Sequence, residues 1–557
     1  MKKFSKIAIF LFLSIFFMTS CDLLNVDSNR QVSTDEFNMK ASNDSLYSMF
    51  GIFSKLEKLA DSYALLGELR ADLIDVNPNS KIVDAYLNEI NNNDISSKNT
   101  YVAGIKDYYA VINNCNYVIH NIDTSVVNGG VKVMYKEYAA CKAIRAWTYM
   151  QIALNYGSAI YYDKPILTIE DAESVQKQTP LQIKDLANLL IDDIKPYKDI
   201  DKPNFGTLYS FNTTYAFFPI RFILGDLYLW TGDYESAANE YHDLIYKNSY
   251  RISNTTRNSW NVVNKAFTGS LSTIWAFAYN SNERITNIAA TNAYSHVFKL
   301  DSLTYRRDII PSNVALNNWD SQMYFDSYLP SGDALDTLVD TRKFSFLYSD
   351  VSFTKITTNT NNYVGVYMDI NQTSTNKAVE RQVIVYRVPM LYLRYAEAVN
   401  RLGKPNLAFA VLKYGLNNIN IQKYVPTSEK SSSANYMNFP NDRFDYYVVD
   451  SKGNSVRYTN IGIRMRGCGN VDQDTTYYKI PNLSAKPDSI LYVEDLIEQE
   501  LRLETAFEGN RFHDLMRFAI RRDDNAYLAD KIAAKHVGSE SSFKAFLMNR
   551  ANWYLKK

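Results

Sequence analysis

Residues 217–247 read FFPIRFILGDLYLWTGDYESAANEYHDLIYK. Apolar side chains recur every three to four positions on both sides of Thr231-Gly232-Asp233, which predicts two amphipathic helices joined by a tight turn. Gly225 and Ala237 lack the bulk that would hold the helices apart, while Tyr228 and Tyr241 fill the groove between them. Such a pair cannot bury its apolar face alone, so it needs neighbours of the same kind.

Those neighbours are legible. In residues 392–419, YLRYAEAVNRLGKPNLAFAVLKYGLNNI, Ala396 aligns with Gly225, Gly403 with Gly232 and Ala408 with Ala237. Gly403 ends one helix and Pro405 opens the next. Upstream, 101–122 and 133–156 form a long helix pair with Ala139, Ala140, Ala143 and Ala146 at the crossing, and 181–197 adds an amphipathic helix. The spacing of the Leu-Gly pair, Tyr, Gly, Ala and Tyr matches the tetratricopeptide pattern. The expected fold is therefore mainly α: a tetratricopeptide-like helical repeat solenoid of about four helix pairs, carrying long irregular, partly β insertions.

Composition agrees with helix. Of 557 residues only 20 are Gly and 14 Pro, whereas Tyr reaches 43, which argues against a Gly-rich β chain or a low-complexity tract. Basic and acidic residues both number 60, so no global positive field exists to hold a phosphate backbone and nucleic acid is not expected as a partner. The four cysteines lack a C-x-x-C spacing and the five histidines are scattered, so no metal site or cofactor is expected.

The first residues address the chain to a membrane. Lys2, Lys3 and Lys6 precede an apolar run over 7–18 that is too short to span a bilayer and has the length of a secretory core. It ends in Met18-Thr19-Ser20-Cys21, which resembles a bacterial lipobox, with Cys21 as the lipidated residue. The expected organisation is a signal peptide over 1–20, a lipid-anchored tether over 21–45 and a helical repeat region over 46–250. An irregular insertion follows over 251–380, then a fourth repeat over 381–423, a loop-rich insertion over 424–490 and a C-terminal helical region over 491–557. Cys115 and Cys141 read as two buried free thiols, although export would permit a disulfide.

Residues 498–518, EQELRLETAFEGNRFHDLMRF, resemble the signature of the SusD/RagB family of Bacteroidetes outer-membrane lipoproteins, E-R-x-x-E-L-x-F-E-G-x-R-W-x-D-L-x-R-W. Glu500, Glu504, Phe507, Glu508, Gly509, Arg511, Asp514, Leu515 and Arg517 match; Leu501 and Thr505 depart, and Phe512 and Phe518 replace Trp. Family-like segments continue at Glu68–Asp72, Tyr108–Asn116, Ala143–Gly157, Asp340–Arg342 and Met390–Glu397. The resemblance implies a surface-exposed outer-membrane lipoprotein, not an enzyme. Such a protein captures a nutrient glycan, or in some members peptides, and delivers it to a SusC-like TonB-dependent transporter. The signature itself reads as structural: Glu508 with Arg511, and Asp514 with Arg517, can pair three apart on one helix face.

A sugar site needs aromatic faces beside amides and carboxylates. The tract Ser312–Tyr328 has that composition, with Trp319 and Tyr324 as candidate platforms and Asn318 as a polar contact, unless Trp319 belongs to the loop's own hydrophobic cluster. Asp72 and Tyr101 form a second candidate group, Asp72 being equally readable as a cap. Two readings of other classes stand beside this one. A glycoside hydrolase would need paired carboxylates across a cleft, and no catalytic motif accompanies the 60 acids; a periplasmic repeat scaffold would not need so large an insertion.

Overall fold

The computed structural model describes residues 42–77, 84–208, 211–252, 283–291, 308–322, 382–431, 434–449, 460–468, 478–483 and 485–556, with short pieces at 297, 340, 342, 347–349, 363–366, 453 and 455–458. Cys21 and Tyr324 lie outside the described residues.

In chain order the first elements are α1 (Ser42–Glu68), β1 (Ile74–Val76), α2 (Ala85–Asn91), α3 (Ile105–Asn121), α4 (Tyr135–Tyr156), α5 (Ile183–Ile194), α6 (Ile220–Thr231) and α7 (Tyr234–Asn248). The central stretch supplies β2 (Arg284–Ala289), β3 (Ile309–Pro311), α8 (Asn313–Asp320), β4 (Gln382–Arg387), α9 (Val388–Arg401) and α10 (Pro405–Lys413). Four helices finish the chain: α11 (Lys486–Glu504), α12 (Arg511–Arg522), α13 (Asn525–Ala533) and α14 (Glu540–Leu547). The protein is thus mainly helical, and the strands among the described residues pair only two by two.

Successive helices pack on one another: α1 on α3, α3 on α4, α4 on α5, α5 on α6, α6 on α7, α7 on α9, and α9 on α10 and α11. The α6–α7 pair shows why. A Cβ on Gly225 would stand 2.3 Å from the Tyr241 ring, so only glycine permits this crossing. Tyr241 then places its hydroxyl 2.6 Å from Asp226 on the facing helix. Gly232 closes α6 at φ 86°, and Asp233 caps α7 by accepting the Ser236 N–H at 3.1 Å. Cys115 on α3 and Cys141 on α4 are buried free thiols in the core of their own pair.

The C-terminal signature is not one continuous helix. Phe507 and Gly509 both take positive φ, 67° and 89°, and break the chain between α11 and α12. This corrects the expected Glu508–Arg511 pair: Glu508 instead accepts from Arg387 Nε at 2.9 Å, and Arg511 turns to other partners. Asp514 and Arg517 do pair, at 3.0 Å on α12. The turn lets α12 return to α1, where a Cβ on Gly67 would lie 1.8 Å from the Gly509 carbonyl oxygen.

Buried ion pairs fasten this junction. Glu504 meets Arg387 at 2.8 Å, Arg466 at 2.9 Å and Arg342 at 3.1 Å. Burial alone would raise its pKa, but the three guanidinium groups draw it down to about 2. Arg394 meets Asp514 at 2.6 Å, and Arg517 meets Glu397 at 2.7 Å. Removing one partner of such a pair strands a buried charge and costs about 3–5 kcal/mol.

Two measurements check this account. Gly225→Ala should destabilise the fold by about 1–3 kcal/mol, read as a lower urea midpoint, because the Tyr241 ring has nowhere to retreat. His513, buried 3.1 Å from Asn155 Oδ1, is held neutral by burial and by Arg70 and Arg394, its pKa lowered from 6.5 to about 3. The unfolded imidazole takes up a proton as the pH drops through 6.5 while the folded one does not, so stability falls across that window by at most about 1.4 kcal/mol per pH unit. Urea unfolding of wild type and His513→Gln at pH 7 and pH 4.5 should show the variant losing less stability on acidification; equal losses would refute the assignment.

Candidate functional site

The segment after α1 and the described part of the central insertion come together through backbone bonds. Strand β1 pairs antiparallel with β3, Ile74 opposite Pro311 and Val76 opposite Ile309. Ser312 N–H donates to the Leu73 carbonyl at 2.9 Å, and its hydroxyl donates to the Asp72 carbonyl while capping α8 through the Ala315 N–H at 3.1 Å. The expected residues on these segments are nonetheless structural. Trp319 has no exposed surface and stands edge-on to Phe507 with ring centroids 5.8 Å apart, so it packs the core and offers no stacking face. Asn318 beside it is buried too.

Asp72 is fully buried and holds Arg511 in a two-point grip, Nε to Oδ1 at 2.6 Å and Nη2 to Oδ2 at 2.7 Å. Burial opposes its charge, yet Arg511 prevails and keeps its carboxyl below the usual range. The sequence placed Asp72 among ligand contacts; its geometry makes it a clamp on α12. Tyr101 stays half-buried, its hydroxyl donating to Asp84 Oδ2 at 2.6 Å, and Asp84 also caps α2 through the Tyr86 N–H at 2.9 Å.

A polar surface surrounds α2. Asn99 Nδ2 donates to the Tyr86 carbonyl at 2.8 Å and to Glu89 at 3.0 Å, while Ser96 donates to the same carboxylate. Asn91 bridges Asp75 and the buried Lys535, whose ammonium also reaches the Leu69 and Ile74 carbonyls at 2.7 and 3.0 Å. Beyond the C-terminal end of α2 opens a cavity of about 490 Å³, whose lining includes Asn92, Asp94, Phe543, Phe546, Asn552 and Tyr554. That volume is within the range of about 300–1,000 Å³ common to ligand pockets. None of these lining residues was singled out from sequence. The available signal was Phe543 and Phe546, three apart on a C-terminal amphipathic helix, with Phe546 left exposed.

A second cleft, among Tyr63, Trp147, Asp226, Trp230, Arg394 and Arg517, has a volume of about 30 Å³. It admits about one water molecule and no sugar ring. Asp226 on its wall and Asp514 outside it both lie on Arg394, at 3.7 and 2.6 Å, and burial raises Asp514 to about 6. These carboxylates are occupied with a guanidinium instead of facing each other across a cleft. Among the described residues no group of three or more His, Cys, Asp or Glu side chains is placed to hold a metal ion.

Comparison with known proteins follows the same lines. The model of the SusD family matches residues 228–554. A SusD superfamily protein from Bacteroides vulgatus superposes with a TM-score of 0.56 at 13% identity, covering 93% of this chain and 96% of that one. A structure described as a SusD-like carbohydrate binding protein from Bacteroides fragilis gives 0.53 at 13% identity, with 88% of both chains covered. Surface glycan-binding protein A from Bacteroides fluxus gives 0.51 at 14%, covering 89% of this chain and 92% of its own. No curated protein matches the chain. The family match covers more than half of the sequence and includes the signature turn between α11 and α12, and on it the chain belongs to the SusD family.

Proposed function

We propose that the protein is a non-catalytic nutrient-binding lipoprotein of the outer membrane, which captures oligosaccharide at the cell surface and passes it to a SusC-like TonB-dependent transporter. The observation that carries this reading is the SusD family match over residues 228–554. Two structural relatives are described as carbohydrate-binding and glycan-binding, which supports glycan over peptide as the ligand class. The cavity beside α2 adds aromatic faces next to amides, the chemistry a sugar requires.

Anchoring rests on the sequence alone. No helix among the described residues is long and apolar enough to cross a membrane. Acyl chains on Cys21 would supply the attachment by burying apolar area in one leaflet, and the polar stretch after it would act as a tether.

Three outcomes are expected. A glycan array and a peptide panel probed with the lipid-free protein should retain oligosaccharides and leave them chemically unchanged. Retention of peptides alone would move the protein to the peptide-binding reading, and glycan cleavage abolished by one carboxylate substitution would move it to the hydrolases. Metabolic labelling with a fatty-acid analogue should mark the wild type and fail on Cys21→Ala, which should also leave the outer-membrane fraction. Detergent extracts of the wild type should yield a large β-barrel partner; labelled Cys21→Ala, or a protein that purifies alone, would count against the anchored, transporter-bound reading.

A further inference from the structure

The 490 Å³ cavity joins the turn after α2 to residues 542–556 and is lined by aromatic rings, amides and two charged groups. Its floor is aromatic. Phe546 exposes 37% of its surface, and Phe543 beside it stacks on His536 with centroids 3.7 Å apart and planes at 27°. The ring-bearing backbone is pinned from behind: Asn552 Nδ2 donates to the Phe546 carbonyl at 2.7 Å, and the buried Trp553 indole donates to the Leu547 carbonyl at 2.7 Å. An apolar face held this firmly loses little freedom when a ligand settles on it.

The opposite wall is rigid for a different reason. Asn93 adopts a left-handed φ of 56° without being glycine. Both ends of its side chain are engaged, the oxygen accepting from Arg70 Nε at 2.6 Å and the amide nitrogen donating to the Asn552 carbonyl. The turn therefore keeps one shape and presents Asn92 and Asp94 at the rim. Asp94 pairs with Lys556 at 3.3 Å, with 79% and 87% of the two side chains still exposed. Both heads keep most of their hydrogen-bonding capacity, and the exposed Asn92 amide adds donors and an acceptor.

We propose that this cavity is a sugar-binding pocket that takes a neutral hexopyranose oligosaccharide, stacking one ring face on Phe546 and bonding its hydroxyls to Asn92, Asp94 and Lys556. The inference rests on the glycan-binding reading above and deepens it by naming a site and a ligand class. A sugar hydroxyl both donates and accepts, and the rim supplies carboxylate, amide and ammonium within one pocket. The Asp94 and Lys556 charges cancel, so the rim favours neither an anionic nor a cationic ligand. Peptide recognition by strand addition needs an open sheet edge, and no strand among the described residues lines the cavity.

The test uses the full mature chain in a non-glycosidic detergent. Calorimetry with maltohexaose, cellohexaose, laminarihexaose and mannohexaose should find binding to at least one. Phe546→Ala should weaken it about ten- to a hundredfold, the loss of one aromatic platform, and Asn92→Ala about three- to tenfold, the loss of about one hydrogen bond. Because Phe546→Ala could loosen α14, hydrogen exchange on the wild type with saturating hexasaccharide supplies a second reading, and protection is expected at 92–95 and 542–556. Protection confined to other segments, with affinity unchanged in both variants, overturns the pocket and leaves the glycan reading standing. Failure of all four hexasaccharides on a protein that binds acidic glycans on the array overturns the neutral ligand class, whereas an array without any bound glycan overturns the glycan reading itself.

Discussion

A single buried carboxylate decides how α1 meets the C-terminal helices. Glu68, the last residue of α1, accepts the backbone N–H groups of Phe507 at 3.1 Å, Gly509 at 2.8 Å and Arg511 at 3.4 Å. Burial pushes its pKa up to about 8, against three donors that favour the charged form. Those N–H groups converge only because Phe507 and Gly509 take positive φ, so carboxylate and turn require each other. Tyr63, one turn back on α1, seals the arrangement by donating to Asn510 Oδ1 at 2.7 Å.

From that contact the remaining charges fall into place. With the chain turned at 507–510, α12 presents Arg511 to Asp72, Asp514 to Arg394 and Arg517 to Glu397. On the other side of the turn Glu504 and Glu508 face Arg387 at the end of β4. The charged residues of the family signature are thus engaged inside the protein and unavailable to a ligand. The proposed sugar pocket accordingly lies at the periphery, where the α2 turn and the C-terminal residues leave amides and an aromatic ring in solvent.

The helices were legible because burial imposes a period. The pairs expected around Gly225 and Gly403 are there, and Gly225 occupies the crossing for the steric reason its neighbours in sequence suggest. The turn at 507–510 was hidden: a phenylalanine at φ 67° has no signature in composition, and spacing alone gave Glu508 a helical partner it does not have. Site residues were less legible than the fold. Trp319 and Asp72 were chosen for residue type, but exposure decides whether an aromatic stacks on a ligand or on Phe507, and whether an acid meets solvent or an arginine 439 positions away. The cavity beside α2 escaped notice for the same reason. Its walls come from residues 92–95 and 542–556, which no local reading places together.

The Glu68 contact also sets a timetable. Its partners emerge from 439 residues after it, and Arg70 nearby waits 483 residues for the Trp553 carbonyl that its guanidinium meets. During synthesis α1 has no completed seat until almost the whole polypeptide exists. Contacts separated so widely in sequence form late, since loop closure must precede any reward. A chain organised in this way completes the packing around α1 only when its last helices are available.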